Sequence, residues 1–217
     1  DDDFLARLLA SYETDPLLHD ALAEAIAARP GLEAIAAASA NESKAPGPLQ
    51  ESATMAGKLL ATSDGPRIAT LESQDWDTHT GQAGRLTRKL AELDGAVEAL
   101  RVGLGSAWAS SVVMIVSEFG RTVAENGNRG TDHGIASLAL LTGGAVRGGR
   151  IAGTWPGLAK DQLYEGRDLM PTTDYTGLFK GLLRDHLGLP VAAIESTVFA
   201  QQVEVKTIDG LTKRSPG

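Results

Sequence analysis

The feature that most constrains this chain is a change of hydrophobic period between residues 81 and 116. Leu86, Leu90, Leu93, Val97 and Leu100 recur at helical spacing within the stretch Gly81 to Leu104. A nearly continuous apolar, β-branched run, Ser111 to Val116, follows soon after. Such a run is expected of a strand buried on both faces of a parallel sheet. A long helix leading into a buried strand is the repeating unit of an α/β sheet with helices on its faces.

The rest of the chain extends that pattern. Arg67 to Leu71 reads as a second strand and Ala136 to Leu141 as a third, closed by Gly143-Gly144. Gly148 to Gly153 reads as a short hairpin or turn. Phe4 to Ala28 reads as two helices. Asp15-Pro16 supplies an N-cap and an N1 proline for the second, and Arg29-Pro30-Gly31 is expected to stop it. Residues 32–48 read as a surface linker whose alanine-rich start is a candidate short helix. Leu49 to Thr62 is helical again. Asp174 is a natural N-cap for a helix through Leu187, ended by Gly188. The expected organisation is a helical segment with linker over 1–48, an α/β domain over 49–200, and a polar, mobile tail over 201–217. That tail contains one candidate strand, Val203 to Ile208.

Composition removes several function classes. The 217-residue chain carries a net charge of −8, which repels nucleic-acid phosphates. No run approaches the roughly 18 apolar residues that span a bilayer. With no cysteine, disulfides and thiolate ligands are excluded. The chain begins at Asp1 without a leader, and we expect it to be the C-terminal part of a longer protein.

Three polar clusters can carry chemistry. In an extended Asp75-Trp76-Asp77-Thr78-His79, alternate side chains share a side, so Asp77 and His79 can address one point with Asp75 as a further carboxylate. Carboxylate plus imidazole suits zinc, manganese or iron, although such pairs also occur in surface turns. In Gly130-Thr131-Asp132-His133-Gly134 the flanking glycines let the backbone bend, so that one residue of the Asp-His pair can enter a site while the other orients it. The plain alternative is an N-cap beside a surface histidine. In Ser117-Glu118-Phe119-Gly120-Arg121, Glu118 ends a buried strand and needs a partner. Either Arg121 pairs with it, or Glu118 is a metal ligand or acid/base and Arg121 an anion clamp. His19 and His186 read as structural.

The ordered motifs Asp-Trp-Asp-Thr-His (75–79), Val-Ser-Glu-Phe-Gly-Arg-Thr (116–122), Glu-Asn-Gly-Asn-Arg-Gly-Thr-Asp-His-Gly (125–134), Gly-Gly-x-Val-x-Gly-Gly (143–149) and Trp155-Pro156-Gly157-Leu158 resemble the family of unknown function numbered 1501. The resemblance runs from about Leu49 to Phe199. That family is largely bacterial, usually exported, and placed with the sulfatases and alkaline phosphatases. It implies an alkaline-phosphatase-like α/β fold with a mostly parallel sheet, a divalent metal (zinc or manganese) and small anionic ester substrates. It also implies a periplasmic or otherwise exported location behind a twin-arginine leader. Asp77 and His79 look like one metal's Asp-x-His pair, His133 like its later histidine, and Asp132 like an additional ligand or an orienting carboxylate. Glu118 is read as an additional ligand, an orienting group or a catalytic acid/base, and Arg121, the other catalytic candidate, is read with Arg129 as meeting the anionic substrate. The superfamily's second metal takes a strand-end Asp-His pair. Here that pair reads Glu118-Phe119, and phenylalanine cannot ligate. The nucleophile would lie upstream of Asp1. The leading expectation is a metal-dependent hydrolase of phosphate or sulfate esters. The alternative is a non-catalytic exported binding or scaffold protein of the same fold. A glycan-binding module ranks last, because only Trp76, Trp108, Trp155 and three tyrosines are available as platforms.

Overall fold

The computed structural model describes residues 2–39 and 47–213. The chain divides into two compact units: Asp1–Glu72 with Gly95–Gly105, and Ser73–Asp94 with Ser106–Gly217.

The first unit is helical. It contains α1 (Asp2–Ser11), α2 (Pro16–Ser39), α3 (Pro48–Leu60) and the C-terminal end of α4 (Gln82–Leu104). Asp15 caps α2 as the sequence implies, its Oδ1 accepting the Leu18 N–H at 3.2 Å. The expected stop at Arg29-Pro30-Gly31 is not made, and α2 continues to Ser39. An interior proline costs about 3 kcal/mol. The strongly helix-forming Leu32–Ser39 stretch and the packing of α2 on α3 offset it. The expected linker thus begins later than residue 32, and its residues 40–46 lie outside the described residues.

Helix α3 crosses α4 on glycine. A Cβ on Gly57 would sit 2.7 Å from the Leu100 carbonyl oxygen, and one on Gly103 would sit 2.7 Å from that of Thr54. Only glycine permits that approach, beside the buried Ala53, Ala96 and Leu104. The expected strand Arg67 to Leu71 forms no ladder, and Ile68 and Leu71 are exposed. A β-prone run becomes a strand only where a neighbour supplies hydrogen bonds and a face to pack on.

The second unit holds the strands. β1 (Val113–Ile115) pairs antiparallel with β4 (Leu140–Thr142), Met114 opposite Leu141. β2 (Gly120–Arg121) pairs antiparallel with β3 (His133–Gly134), Arg121 opposite His133. Among the described residues these are two-stranded sheets, and the parallel sheet anticipated from Ser111–Val116 is not among them. β1 is half-buried rather than covered on both faces. The strand expected at Ala136–Leu141 is confined to Leu140–Thr142. Gly148–Gly153 forms bends rather than a hairpin, leaving Ile151 95% exposed.

Helix α5 (Tyr175–Asp185) starts on Asp174, whose Oδ1 accepts the Thr176 N–H at 2.7 Å. Gly188, at φ 72°, takes the chain out of it. The segment after Ala200, expected to be a mobile tail with a strand at Val203–Ile208, is laid along α5 without forming a strand. Gly177 and Gly181 make this possible: Cβ atoms there would collide with the carbonyls of Lys206 and Ile208. The Ile208 N–H reaches Gly177 O at 2.9 Å. Lys180, 1% exposed, donates from Nζ to the carbonyls of Gln202 (2.6 Å), Val205 (3.0 Å) and Val203 (3.4 Å). Beyond it, Leu211 and Thr212 are buried, and the Lys213 N–H closes on Ala145 O at 2.7 Å.

Candidate metal centre

All the candidate ligands lie in the second unit, on two stretches about fifty residues apart. Ser73–His79 forms no ladder. Its alternation fails at Asp75, whose φ of 66° turns the backbone into the left-handed region. Asp75 is therefore not the same-side carboxylate expected. Asp77 and His79 do converge, with His79 Nε2 3.0 Å from Asp77 Oδ1. Thr78 between them is buried and donates to Gln82 Oε1 at 3.1 Å.

The β2–β3 pair brings the second stretch to the same point. Gly120 faces Gly134, and a Cβ at either would collide with the backbone opposite. Facing Arg121, His133 reaches Asp77 Oδ1 with Nε2 at 2.8 Å. Its ring lies 4.9 Å from that of His79. The ligand atoms of Asp77, His79 and His133 all fall within 4.8 Å of one another. Metal–ligand bonds of about 2.0–2.1 Å in tetrahedral geometry separate the donors by about 3.3 Å. The two contacts to Asp77 therefore need to open by a few tenths of an ångström, and the widest donor pair, up to 4.8 Å apart, needs to close by up to about 1.5 Å.

Asp132 takes the orienting role. Its Oδ1 is 3.0 Å from His79 Nδ1, which leaves Nε2 as the nitrogen facing Asp77. A carboxylate behind a ligand histidine sets its tautomer and ring direction. Asp132 is itself held by Asn126 Nδ2 at 2.9 Å, by the Thr122 N–H donating to its carbonyl at 2.9 Å, and by its own N–H donating to Thr122 Oγ1 at 3.1 Å. The hydrogen bond from Asn126, then that from His79, keeps its carboxyl below the usual range. Asp77 is lowered first by the hydrogen bond from His133; desolvation opposes this, and the hydrogen bond from Arg121 and the charge of the two imidazoles lower it further. Both carboxylates thus contribute stability that is present above the ordinary pKa of 3.8 and lost only as pH falls through their lowered values. Asp132→Asn is expected to weaken metal binding by ~10–100-fold. A competition titration against a chromophoric chelator measures this, and unchanged affinity would remove the orienting role.

Arg121 is not free to clamp an anion. Nη1 donates to Thr131 O at 2.8 Å, while Nη2 donates to Trp76 O at 2.6 Å and Asp77 Oδ1 at 2.9 Å. It ties the two stretches together and aims Asp77. Nor does it pair with Glu118, which is exposed and makes no hydrogen bond or ion pair among the described residues. Phe119 stacks on His133 at 4.6 Å, with the Arg121 guanidinium 4.9 Å from its ring centre. Phe119 thus forms an aromatic wall against His133. Arg129 makes no side-chain hydrogen bond or ion pair with the cluster among the described residues; its backbone, at φ 57°, accepts the Gln82 N–H at 2.8 Å.

Asn126 is the residue that sequence reasoning missed. Nδ2 donates to His79 O (3.0 Å) as well as Asp132, and Oδ1 accepts the N–H groups of Asn128 and Gly130. The only sequence signal was the turn-forming Asn126-Gly127 pair. Gln82 is a second omission, its Oε1 receiving Thr78 and Thr131 from the two stretches. Gly130 completes the joint, since a Cβ there would collide with the carbonyls of His79 and Thr78.

No helix among the described residues is long and apolar enough to cross a membrane. No curated protein matches this sequence, and neither does any solved structure. Residues 1–198 match the family described as protein of unknown function (DUF1501), and the chain belongs to that family.

Proposed function

We propose that Asp77, His79 and His133 hold one divalent metal ion, zinc or manganese, in a hydrolase acting on phosphate or sulfate esters. The observation that carries this reading is the convergence of three ligand atoms within 4.8 Å while Asp132 orients His79 from behind. The side chains of Asp77, His79 and His133 are 53%, 42% and 51% exposed, which leaves a coordination position open to substrate. A bound metal supplies Lewis acidity, drawing charge off the ester oxygen as the bond breaks. Asp77 remains anionic across the neutral range and binds through a carboxylate that Arg121 steadies. Phe119 keeps water from one face of the His133 ring. We carry the alkaline-phosphatase-like superfamily and an exported location as part of the same proposal, on motif resemblance.

The second reading, a non-catalytic scaffold, is favoured by one observation. The network is complete without a metal, because His133 and Arg121 both donate to Asp77. The test is metal loading of the purified chain. About one zinc or manganese per chain retained through gel filtration, together with metal-dependent hydrolysis of an aryl phosphate or aryl sulfate, supports the enzyme. A chain that retains no metal and melts identically in chelator supports the scaffold.

A further inference from the structure

The loops that carry the proposed ligands also line an open pocket of about 560 Å³ formed by Thr80, Gly81, Arg85, Gly127, Asn128 and Arg129. Thr80 directly follows His79, so the pocket wall begins one residue step, about 4 Å between Cα atoms, from a ligand. The two stretches are stitched together at its base: the Gly81 N–H donates to Asn128 O at 3.1 Å and the Gln82 N–H to Arg129 O at 2.8 Å. Those amides are therefore occupied, and the charge offered to the pocket is that of two guanidiniums.

Neither Arg85 nor Arg129 makes a side-chain hydrogen bond or ion pair among the described residues, and no acidic side chain lines the pocket. In a chain of net charge −8 this is a local reversal of sign. Arg121, Arg167 and Arg184 are engaged, with Asp77, with Asp168, and with Asp185 and Asp209 respectively; Arg88 and Arg147 also lack a side-chain hydrogen bond or ion pair among the described residues but do not line this pocket. Planar guanidinium forks fit the oxygens of phosphate, sulfate or carboxylate.

We infer that Arg85 and Arg129 form an oxyanion subsite beside the metal centre, taking a second anionic group carried on the substrate. The inference deepens the hydrolase reading and rests on it for the role of the subsite. The substrate class becomes a doubly anionic ester, one anion at the metal and one at the arginines.

The test is a sulfate titration of the full chain in chelator, at constant ionic strength, read by amide chemical shifts. Saturable shifts are expected at Thr80, Gly81, Asn128 and Arg129. Combining Arg85→Gln with Arg129→Gly should weaken sulfate at least tenfold. Glutamine keeps helix propensity, and glycine accepts the left-handed backbone at position 129, so this variant retains the fold. His79→Ala should leave the sulfate titration unchanged while removing metal, so failure of the metal centre and failure of the subsite are read separately. No saturable shift at these residues, or an arginine variant that titrates like wild type, overturns the subsite. With metal bound, the arginine variant should raise KM for a doubly anionic aryl ester at least tenfold with kcat unchanged, and leave KM for a singly anionic one unaltered. Equal effects on both esters overturn its assignment to the substrate.

Discussion

Alanine at His79 or at His133 is expected to remove stoichiometric zinc or manganese binding. The loss should exceed the ~10–100-fold typical of removing an orienting residue, because each imidazole is itself a proposed donor and no other histidine among the described residues joins the group. Binding to the native state alone stabilises it by about 2.7 kcal/mol when free metal is 100 times Kd. Metal should therefore raise the melting temperature of the wild type and not of either variant. The pH dependence follows from the carboxylates. Asp77 and Asp132 are held below 3.8 and stay ionised on mild acidification. Mild acidification should therefore not release metal through protonation of these two carboxylates. Either alanine variant binding metal as tightly as wild type would end the hydrolase proposal.

Lys180→Met is expected to cost about 3 kcal/mol, the loss of the charge-assisted hydrogen bonds that a buried ammonium makes to the carbonyls of the covering segment. The methionine fills similar volume, so the deficit isolates the donors. The three N–H groups of Nζ are matched by the carbonyls of Gln202, Val203 and Val205, and methionine offers none. For a chain of this size the melting temperature should fall by ~6–12 °C. Protease cleavage between residues 200 and 213 should appear first, as the segment leaves α5. A change below about 1 kcal/mol would show that the glycine face of α5 holds the segment without the lysine.

Where a structural choice depends on neighbours a few residues away, the sequence was readable. Asp15-Pro16 starts α2, Asp174 starts α5, and the leucine stripe from Leu86 to Leu100 runs through α4. These are decided by capping and period within a turn or two. The failures share one cause. The expected strand Arg67–Leu71 had the composition but no partner, and α2 ran through Pro30 because packing and propensity downstream outweighed a local signal. The tail appeared free because the residues that bind it, Lys180 and two glycines, lie over twenty positions earlier on a helix.

The candidate site divides in the same way. Sequence alone determined which side chains have donor chemistry: Asp77, His79, Asp132 and His133 stand out by type and spacing. The tertiary structure decided what each one does. Hydrogen bonds across 53 and 56 residues join His79 to Asp132 and His133 to Asp77. Arg121 moved from presumed anion clamp to brace, Glu118 moved out to solvent, and Asn126 emerged as the clasp between the loops. Donor identity is a property of a residue, whereas convergence depends on backbones closing to within a Cβ of each other, as at Gly120, Gly130 and Gly134. That closeness exists only once the chain has folded.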